Sequence, residues 1–166
     1  MKALTNHVLR DHVLIGGIAA IIASPALGAW GSFWFWTATV LVDIDHYLHF
    51  LLATRFKAVG VKAMFRFHHE LFERRNMPDF MILEVFHTLE FIALFGILAF
   101  NYFGLLRPVF WGIVFHMIVD FVHLSRYGIL HKRPHSFIEY GWRRRRVLEL
   151  GRDPDYPVKE AVRAMR

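Results

Sequence analysis

The stretch Val42-Asp43-Ile44-Asp45-His46-Tyr47-Leu48-His49 places two carboxylates and two imidazoles inside an apolar run. Residues 28–53 contain no Lys or Arg, so no cationic side chain of this segment neutralises Asp43 or Asp45. Because a charge buried in an apolar environment needs a partner, the stretch predicts that other segments bring compensating groups to it. It therefore favours a bundle of helices around a shared polar site.

The composition is that of a membrane protein. Of the 166 residues, 55% are hydrophobic and 16% are aromatic, and the mean hydropathy is +0.34. An ordinary soluble domain of this size is less apolar. The net charge of +6 comes largely from the residues after Arg126, which favours anionic lipid headgroups as partners, and nucleic acid is not expected.

Four apolar segments are predicted to span the membrane, since a helix rises about 1.5 Å per residue and the hydrocarbon core is about 30 Å thick. They cover residues 8–24, 28–53, 79–102 and 108–127. Residues 54–78 mix apolar and basic side chains, which is typical of an interfacial helix. The predicted fold is all-α, an integral membrane four-helix bundle with an interfacial amphipathic helix and a basic cytoplasmic tail. For the first segment, a cleavable signal peptide is the alternative.

The distribution of positive charge predicts the topology. Lys and Arg are concentrated after the second and fourth segments, whereas the connection after the third has only Arg107. By the positive-inside rule, both termini are expected in the cytoplasm. The chain then divides into a transmembrane metal-binding helical domain, residues 1–130, and a basic extramembrane tail, residues 131–166. The run Arg143–Arg146 in the tail predicts contact with lipid headgroups.

Acidic and histidine side chains recur along the apolar segments at spacings of three or four residues. Residues at these spacings share one face of an α-helix, and the predicted topology places the groups at similar depth. The groups are Asp43 with His46, Asp45 with His49, then Glu84, His87 and Glu90, and then His116, Asp120 and His123.

A metal site explains the acids and the imidazoles together. A charged side chain at the bilayer centre costs about 2.5 to 3.5 kcal/mol, and a divalent cation offsets that cost for several carboxylates at once. The chain has 11 His and no Cys, so the ligands are nitrogen and oxygen atoms. These suit one or two divalent transition metal ions, with Zn favoured and Mn or Fe as alternatives. Hydrogen-bonded pairs or a proton pathway would explain the same pattern without a metal.

The order of these motifs resembles that of the membrane-bound metal-dependent hydrolases, small bacterial inner-membrane proteins. The chain departs from the family pattern at Val42, where the family has Pro, and around His87, where the family has an additional Arg and Ser. The matching elements are His12 with Gly16 and Gly17, Asp43-Ile44-Asp45-His46, His87-Thr88, and His116-Met117-Ile118-Val119-Asp120.

The resemblance and the charge pattern together imply a membrane-embedded, metal-dependent hydrolase of the bacterial inner membrane. Its substrate would be a phosphoester or resemble a lipid headgroup, bound at the cytoplasmic face. The alternatives are a His-rich di-iron membrane oxidoreductase and a non-catalytic metal or proton carrier. Roles for His68, His69, His131 and His135 stay open. The expected metal ligands are His12, Asp43, Asp45, His46, His87, His116 and Asp120, and the expected acid–base residues are Glu84, Glu90 and His123.

Overall fold

Helices form the secondary structure of residues 4–165, the part of the chain that the computed structural model describes. No strand occurs in this part, so the prediction of an all-α protein is confirmed. The α-helices are α1 (Leu4–Leu41), α2 (Ile44–Ala53), α3 (Val61–Glu73), α4 (Leu89–Asn101), α5 (Arg107–Arg126), α6 (Phe137–Glu149) and α7 (Tyr156–Ala164). Short 3₁₀ turns cover Val85–His87, Gly104–Leu106 and Leu130–Lys132.

Helix α1 is folded back on itself at Gly28. This residue has φ 67° and ψ 173°, a conformation that is open to Gly and strained for other residues. The arms on either side, residues 4–27 and 29–41, lie against each other, and Trp36 Nε1 donates a hydrogen bond to the Val13 carbonyl at 3.0 Å. Pro25 lies inside the first arm, so the first predicted span, residues 8–24, ends about one turn too early.

Two apolar helical segments are long enough to cross a membrane, Arg10–Ala53 with 44 residues and Gly104–Arg126 with 23. The predicted third span is wrong over its first part, because residues 79–84 form no helix and α4 begins only at Leu89. The 13 residues of α4 span about 20 Å along the helix axis, which is less than the thickness of a hydrocarbon core, about 30 Å. The second predicted span is interrupted at Val42 and Asp43, between α1 and α2. Four complete spans are therefore not confirmed.

The chain forms two compact units that alternate along the sequence. The first unit comprises the residues up to Asp43 together with Phe86–Gly128, and the second comprises Ile44–Val85 and the residues from Ile129 onward. The predicted boundary at residue 130 separates a transmembrane domain from an extramembrane tail. The division into compact units does not test it, so it stays a prediction.

The first unit is built by packing α5 against α1 and α4 against α5. The approach of α5 is unusually close at Gly112, where an added Cβ would lie 2.3 Å from the Phe35 carbonyl oxygen. Only Gly fits such a contact without moving the backbone. A small apolar core of Ala38, Val42 and Ile113 forms beside it.

The second unit is organised around α3. Its residues Phe67 and Leu71 are fully buried against Phe50 of α2 and Ala161 of α7. The predicted amphipathic helix is therefore present, but its apolar side packs inside this unit, and its contact with a membrane interface stays a prediction. Ser136 caps α6 by accepting hydrogen bonds from the backbone of Ile138 and Glu139.

The arginine run of α6 is divided between two roles. Arg143 pairs with Glu139, and Arg144 donates two hydrogen bonds to Asp155, at 2.6 and 2.8 Å. Arg145 is exposed, and the Arg146 guanidinium lies 5.8 Å from the centre of the Trp142 ring. The first two residues thus form ion pairs within the second unit, whereas Arg145 pairs with Glu149 at the surface, and contact of the run with lipid headgroups stays a prediction.

Candidate metal centre

Three helical elements of the first unit converge on one buried polar cluster. Helix α5 carries His116 and Asp120 one turn apart, and the 3₁₀ turn Val85–His87 ends with His87 just before Thr88 caps α4. Asp43 follows the end of α1. The two histidines are at most 1% exposed and Asp120 is 7% exposed, so these three side chains are largely shielded from water.

Five separations among the donor atoms of this cluster are close to those between the ligands of one metal ion. His87 Nε2 and His116 Nε2 are 3.0 Å apart. Asp43 Oδ1 lies 3.6 and 3.4 Å from these two nitrogens, and Asp120 Oδ2 lies 3.6 and 3.7 Å from them. Ligands about 2.1 Å from a zinc ion are about 3.4 Å from one another in a tetrahedron. His87, His116 and Asp120 therefore form a group that could hold a divalent metal ion, and Asp43 lies close to both of its imidazole nitrogens. His12, Asp43 and His116 form another such group in the first unit.

The tautomer of His116 is fixed by the backbone. Its Nδ1 lies 2.8 Å from the Thr39 carbonyl oxygen, which only accepts, so Nδ1 carries the proton and donates. In the neutral ring, Nε2 then presents its lone pair to His87, Asp43 and Asp120. This is the orientation that a hydrogen bond to the second nitrogen gives a metal-binding histidine.

Gly16 allows the first arm of α1 to reach Thr39. A Cβ at Gly16 would lie 2.3 Å from Thr39 Oγ1, so a larger residue would push the two arms apart. The same arm carries His12, whose ring stacks on His116 with the centroids 4.0 Å apart. The two arms of α1 thus position both the Thr39 carbonyl, which accepts a hydrogen bond from His116, and His12, which stacks on the His116 ring.

His12 contacts the second oxygen of Asp120. Its Nε2 lies 3.1 Å from Asp120 Oδ1, whereas Oδ2 of the same carboxylate faces His87 and His116. The other ring nitrogen, Nδ1, is buried and has no hydrogen-bond partner. His12 therefore orients the Asp120 carboxylate and keeps one nitrogen available for a proton or a cation.

His123 forms a second histidine–carboxylate pair in the first unit. Its Nε2 lies 3.5 Å from Asp11 Oδ2, and its Nδ1 is buried without a hydrogen-bond partner. Arg10 contacts the other oxygen of Asp11 at 3.4 Å. This arrangement suits proton transfer, because the carboxylate fixes one imidazole nitrogen and leaves the other to react.

Glu84 lies in the second unit and has a cationic partner. It is 6% exposed, it pairs with the Arg133 guanidinium, and its Oε1 lies 2.6 Å from His46 Nδ1. The prediction that Glu84 shares a helical face with His87 and Glu90 is wrong, because no α-helix covers residues 79–88. The predicted span around Glu84 contains no Lys or Arg, and its cationic partner Arg133 comes from the basic tail.

The remaining predicted residues are not among the four donors that these distances bring together. Asp45 is buried in the first turn of α2, in the second unit, and Glu90 is partly buried in the first turn of α4. His68 donates from Nε2 to the His46 carbonyl at 2.9 Å, and burial lowers the pKa of His68 to about 3, so its ring is neutral. His135 bonds to the Leu130 carbonyl, and His131 is exposed.

Three residues of these arrangements were not predicted as site residues. The carbonyl of Thr39 has no signature in a sequence, because every residue has one. Asp11 precedes His12 directly, so the pair Asp11-His12 was a usable signal. Arg133 lies 49 positions after Glu84, and no helical periodicity connects them.

Comparisons with family models, with curated proteins and with solved structures gave no match.

Proposed function

We propose that this protein is a membrane-embedded, metal-dependent hydrolase whose metal ligands are Asp43, His87, His116 and Asp120. The observation that carries the proposal is the set of five separations of 3.0 to 3.7 Å among their four donor atoms. Two neutral imidazoles and two carboxylates neutralise one divalent cation, which is the charge balance that a buried zinc or manganese site requires.

The chemistry would be hydrolysis of a phosphoester or a related headgroup bond. A metal bound by these residues supplies an activated water and polarises the scissile group. His12 holds the Asp120 carboxylate in place through Oδ1. His123, fixed by Asp11, is the candidate to accept and return a proton. Glu90 stays a candidate base, whereas Glu84 is engaged by His46 and Arg133 and has no part in the proposal.

The location that we propose is the bacterial inner membrane, with both termini in the cytoplasm. The two long apolar segments and the exposed basic residues of α6 support it. Since the chain has no Cys, a single Cys introduced at Ala164 tests the orientation. A membrane-impermeant maleimide should label it in inverted vesicles and not in intact cells, and labelling in intact cells would contradict the proposal.

The catalytic proposal is tested with the full chain in vesicles that contain phosphatidic acid and phosphatidylglycerol, loaded with zinc or manganese. We expect release of inorganic phosphate or glycerol headgroup, and loss of that release in Asp43→Asn and His116→Ala. The matched control is His131→Ala, which removes an exposed histidine of the second unit. Stoichiometric metal with no hydrolysis of either lipid would contradict the hydrolase and leave the metal centre standing. Bound iron with oxygen consumption would favour the oxidoreductase instead.

A further inference from the structure

An apolar groove with a volume of about 240 Å³ lies in the first unit. Its walls come from the second arm of α1, from α4 and α5, and from the residue before His87. No charged side chain is among its lining residues, so the groove suits a hydrocarbon and not a headgroup. The residues that matter here are Trp34, Thr37, Leu41, Val42, Phe86 and Phe91.

One end of the groove is next to the proposed metal ligands along the chain. Val42 immediately precedes Asp43, and Phe86 immediately precedes His87. The Phe86 and Phe91 rings lie against each other with their centroids 4.9 Å apart. A molecule in the groove would therefore contact Val42 and Phe86, the residues that directly precede the proposed ligands Asp43 and His87.

The rim of the groove belongs to the apolar outer surface of a long membrane-compatible segment. Trp34 is 48% exposed and Leu41 is 57% exposed, and both lie within Arg10–Ala53. In a bilayer, the phase against such a surface is lipid hydrocarbon. A volume of 240 Å³ holds about eight groups of about 30 Å³ each, the share of one water molecule in the liquid.

We infer that the groove binds an acyl chain of the substrate, so that the substrate class is a lipid phosphoester with a chain of roughly eight carbons or more inside the protein. The inference rests on the proposed hydrolase activity only in identifying the bound lipid as a substrate. The binding of the chain itself depends only on the groove. With the chain in place, the glycerol and its phosphoester lie outside the apolar walls, on the side of Asp43 and His87.

The probe is phosphatidic acid with a photoactivatable diazirine at the end of one acyl chain, incorporated at low density into phosphatidylcholine nanodiscs with the full-length protein. After irradiation, mass spectrometry maps the labelled residues. We expect labelling to concentrate on residues 34–42 and 86–91. Thr37→Phe, which fills the groove, should lower this labelling about tenfold, equivalent to about 1.4 kcal/mol of lost affinity. Leu94→Phe is the matched control, since Leu94 is 59% exposed on α4 and does not line the groove.

The outcomes separate the groove from the hydrolase. Labelling spread evenly over exposed apolar residues, or cross-links to a second copy of the chain, would overturn the inference, and mapping on the unaltered protein needs no variant to fold. Concentrated labelling without hydrolysis would leave the acyl site standing and remove the proposed activity. If both hold, Thr37→Phe should hydrolyse dioctanoyl phosphatidic acid more slowly than the unaltered protein, whereas Leu94→Phe should hydrolyse it at the unchanged rate.

Discussion

His116 connects the backbone to the candidate centre through its two ring nitrogens. Nδ1 donates to the Thr39 carbonyl, and Nε2 lies 3.0 Å from His87 Nε2. Two imidazole nitrogens at that distance either share a proton or both face a cation. The Asp43 and Asp120 oxygens, 3.4 and 3.7 Å from His116 Nε2, favour the cation, because each lies at about the distance expected between two ligands of one ion.

His12 should affect metal affinity through Asp120. His12→Ala removes the donor to Asp120 Oδ1, and we expect metal affinity to fall about 10- to 100-fold, the usual effect of losing a partner that orients a ligand. His12→Gln, which retains an N–H donor, should recover part of that loss. Competition with a fluorescent chelator measures both. Equal affinity in His12→Ala and the unaltered protein would contradict the orienting role.

The Glu84–Arg133 pair should stabilise the second unit. Both side chains are at most 10% exposed, so Arg133→Met leaves a buried carboxylate without its cation and should cost about 3 to 5 kcal/mol of unfolding free energy. The double variant Glu84→Gln with Arg133→Met should be less destabilised than Arg133→Met alone. Arg145→Met is the control, because its pair with Glu149 is exposed and should contribute about 0 to 1 kcal/mol. Chemical denaturation in detergent compares the three, and equal losses would contradict the buried pair.

At the scale of elements, the packing of α5 on α1 depends on Gly112. Gly112→Ala forces a methyl group toward the Phe35 carbonyl and should destabilise the protein by about 1 to 3 kcal/mol. Since α5 carries His116 and Asp120, metal affinity should fall as well. Gly141→Ala on α6 is the matched control. Nothing lies within 4 Å of its new Cβ, and helix propensity alone should stabilise it by up to about 1 kcal/mol. A thermal midpoint of Gly112→Ala equal to that of the unaltered protein would contradict the close contact.

The junction of α6 and α7 should depend on acid. Hydrogen bonds from Arg144 lower the pKa of Asp155 below its ordinary value of 3.8. A carboxyl with a lowered pKa in the folded state contributes stability that is complete above the unfolded pKa and is lost as the pH falls through the folded pKa. Asp155→Asn should therefore unfold more readily than the unaltered protein at about pH 7, and the difference should shrink toward about pH 3. A difference that stays constant over this range would exclude the ion pair as its cause.

Helix boundaries were predictable where local sequence signals set the end of a helix, and less so where tertiary contacts set it. The apolar runs around α1 and α5 gave helices, because length and hydropathy favour them. The helix expected over 79–88 is absent, and α4 begins only after Thr88, whose side chain accepts from the Phe91 backbone. Thr88 was a visible signal of that boundary, because Thr is a favoured N-cap residue. A reversal between the first two predicted spans was expected after Pro25, and the structure has it at Gly28.

For the whole molecule, the all-α class was predicted from the apolar composition and the long apolar segments. The clustering of buried acids and histidines was predicted because the segments that carry them contain no Lys or Arg. The sequence did not reveal how these groups are partitioned. Asp43, His87, His116 and Asp120 converge in the first unit, whereas Asp45, His46 and Glu84 belong to the second. Helical periodicity cannot separate the two sets, because it does not show that one compact unit gives way to the other between Asp43 and Ile44 and between Val85 and Phe86.

The metal content of the full chain, purified without chelators, tests the central claim most directly. Elemental analysis by mass spectrometry should find about one zinc, manganese or iron ion per chain at the four-ligand shell, and a near-complete loss in Asp120→Asn and His116→Ala. His131→Ala should retain the metal of the unaltered protein. A folded protein without stoichiometric metal, and with no uptake of added zinc, would contradict the account.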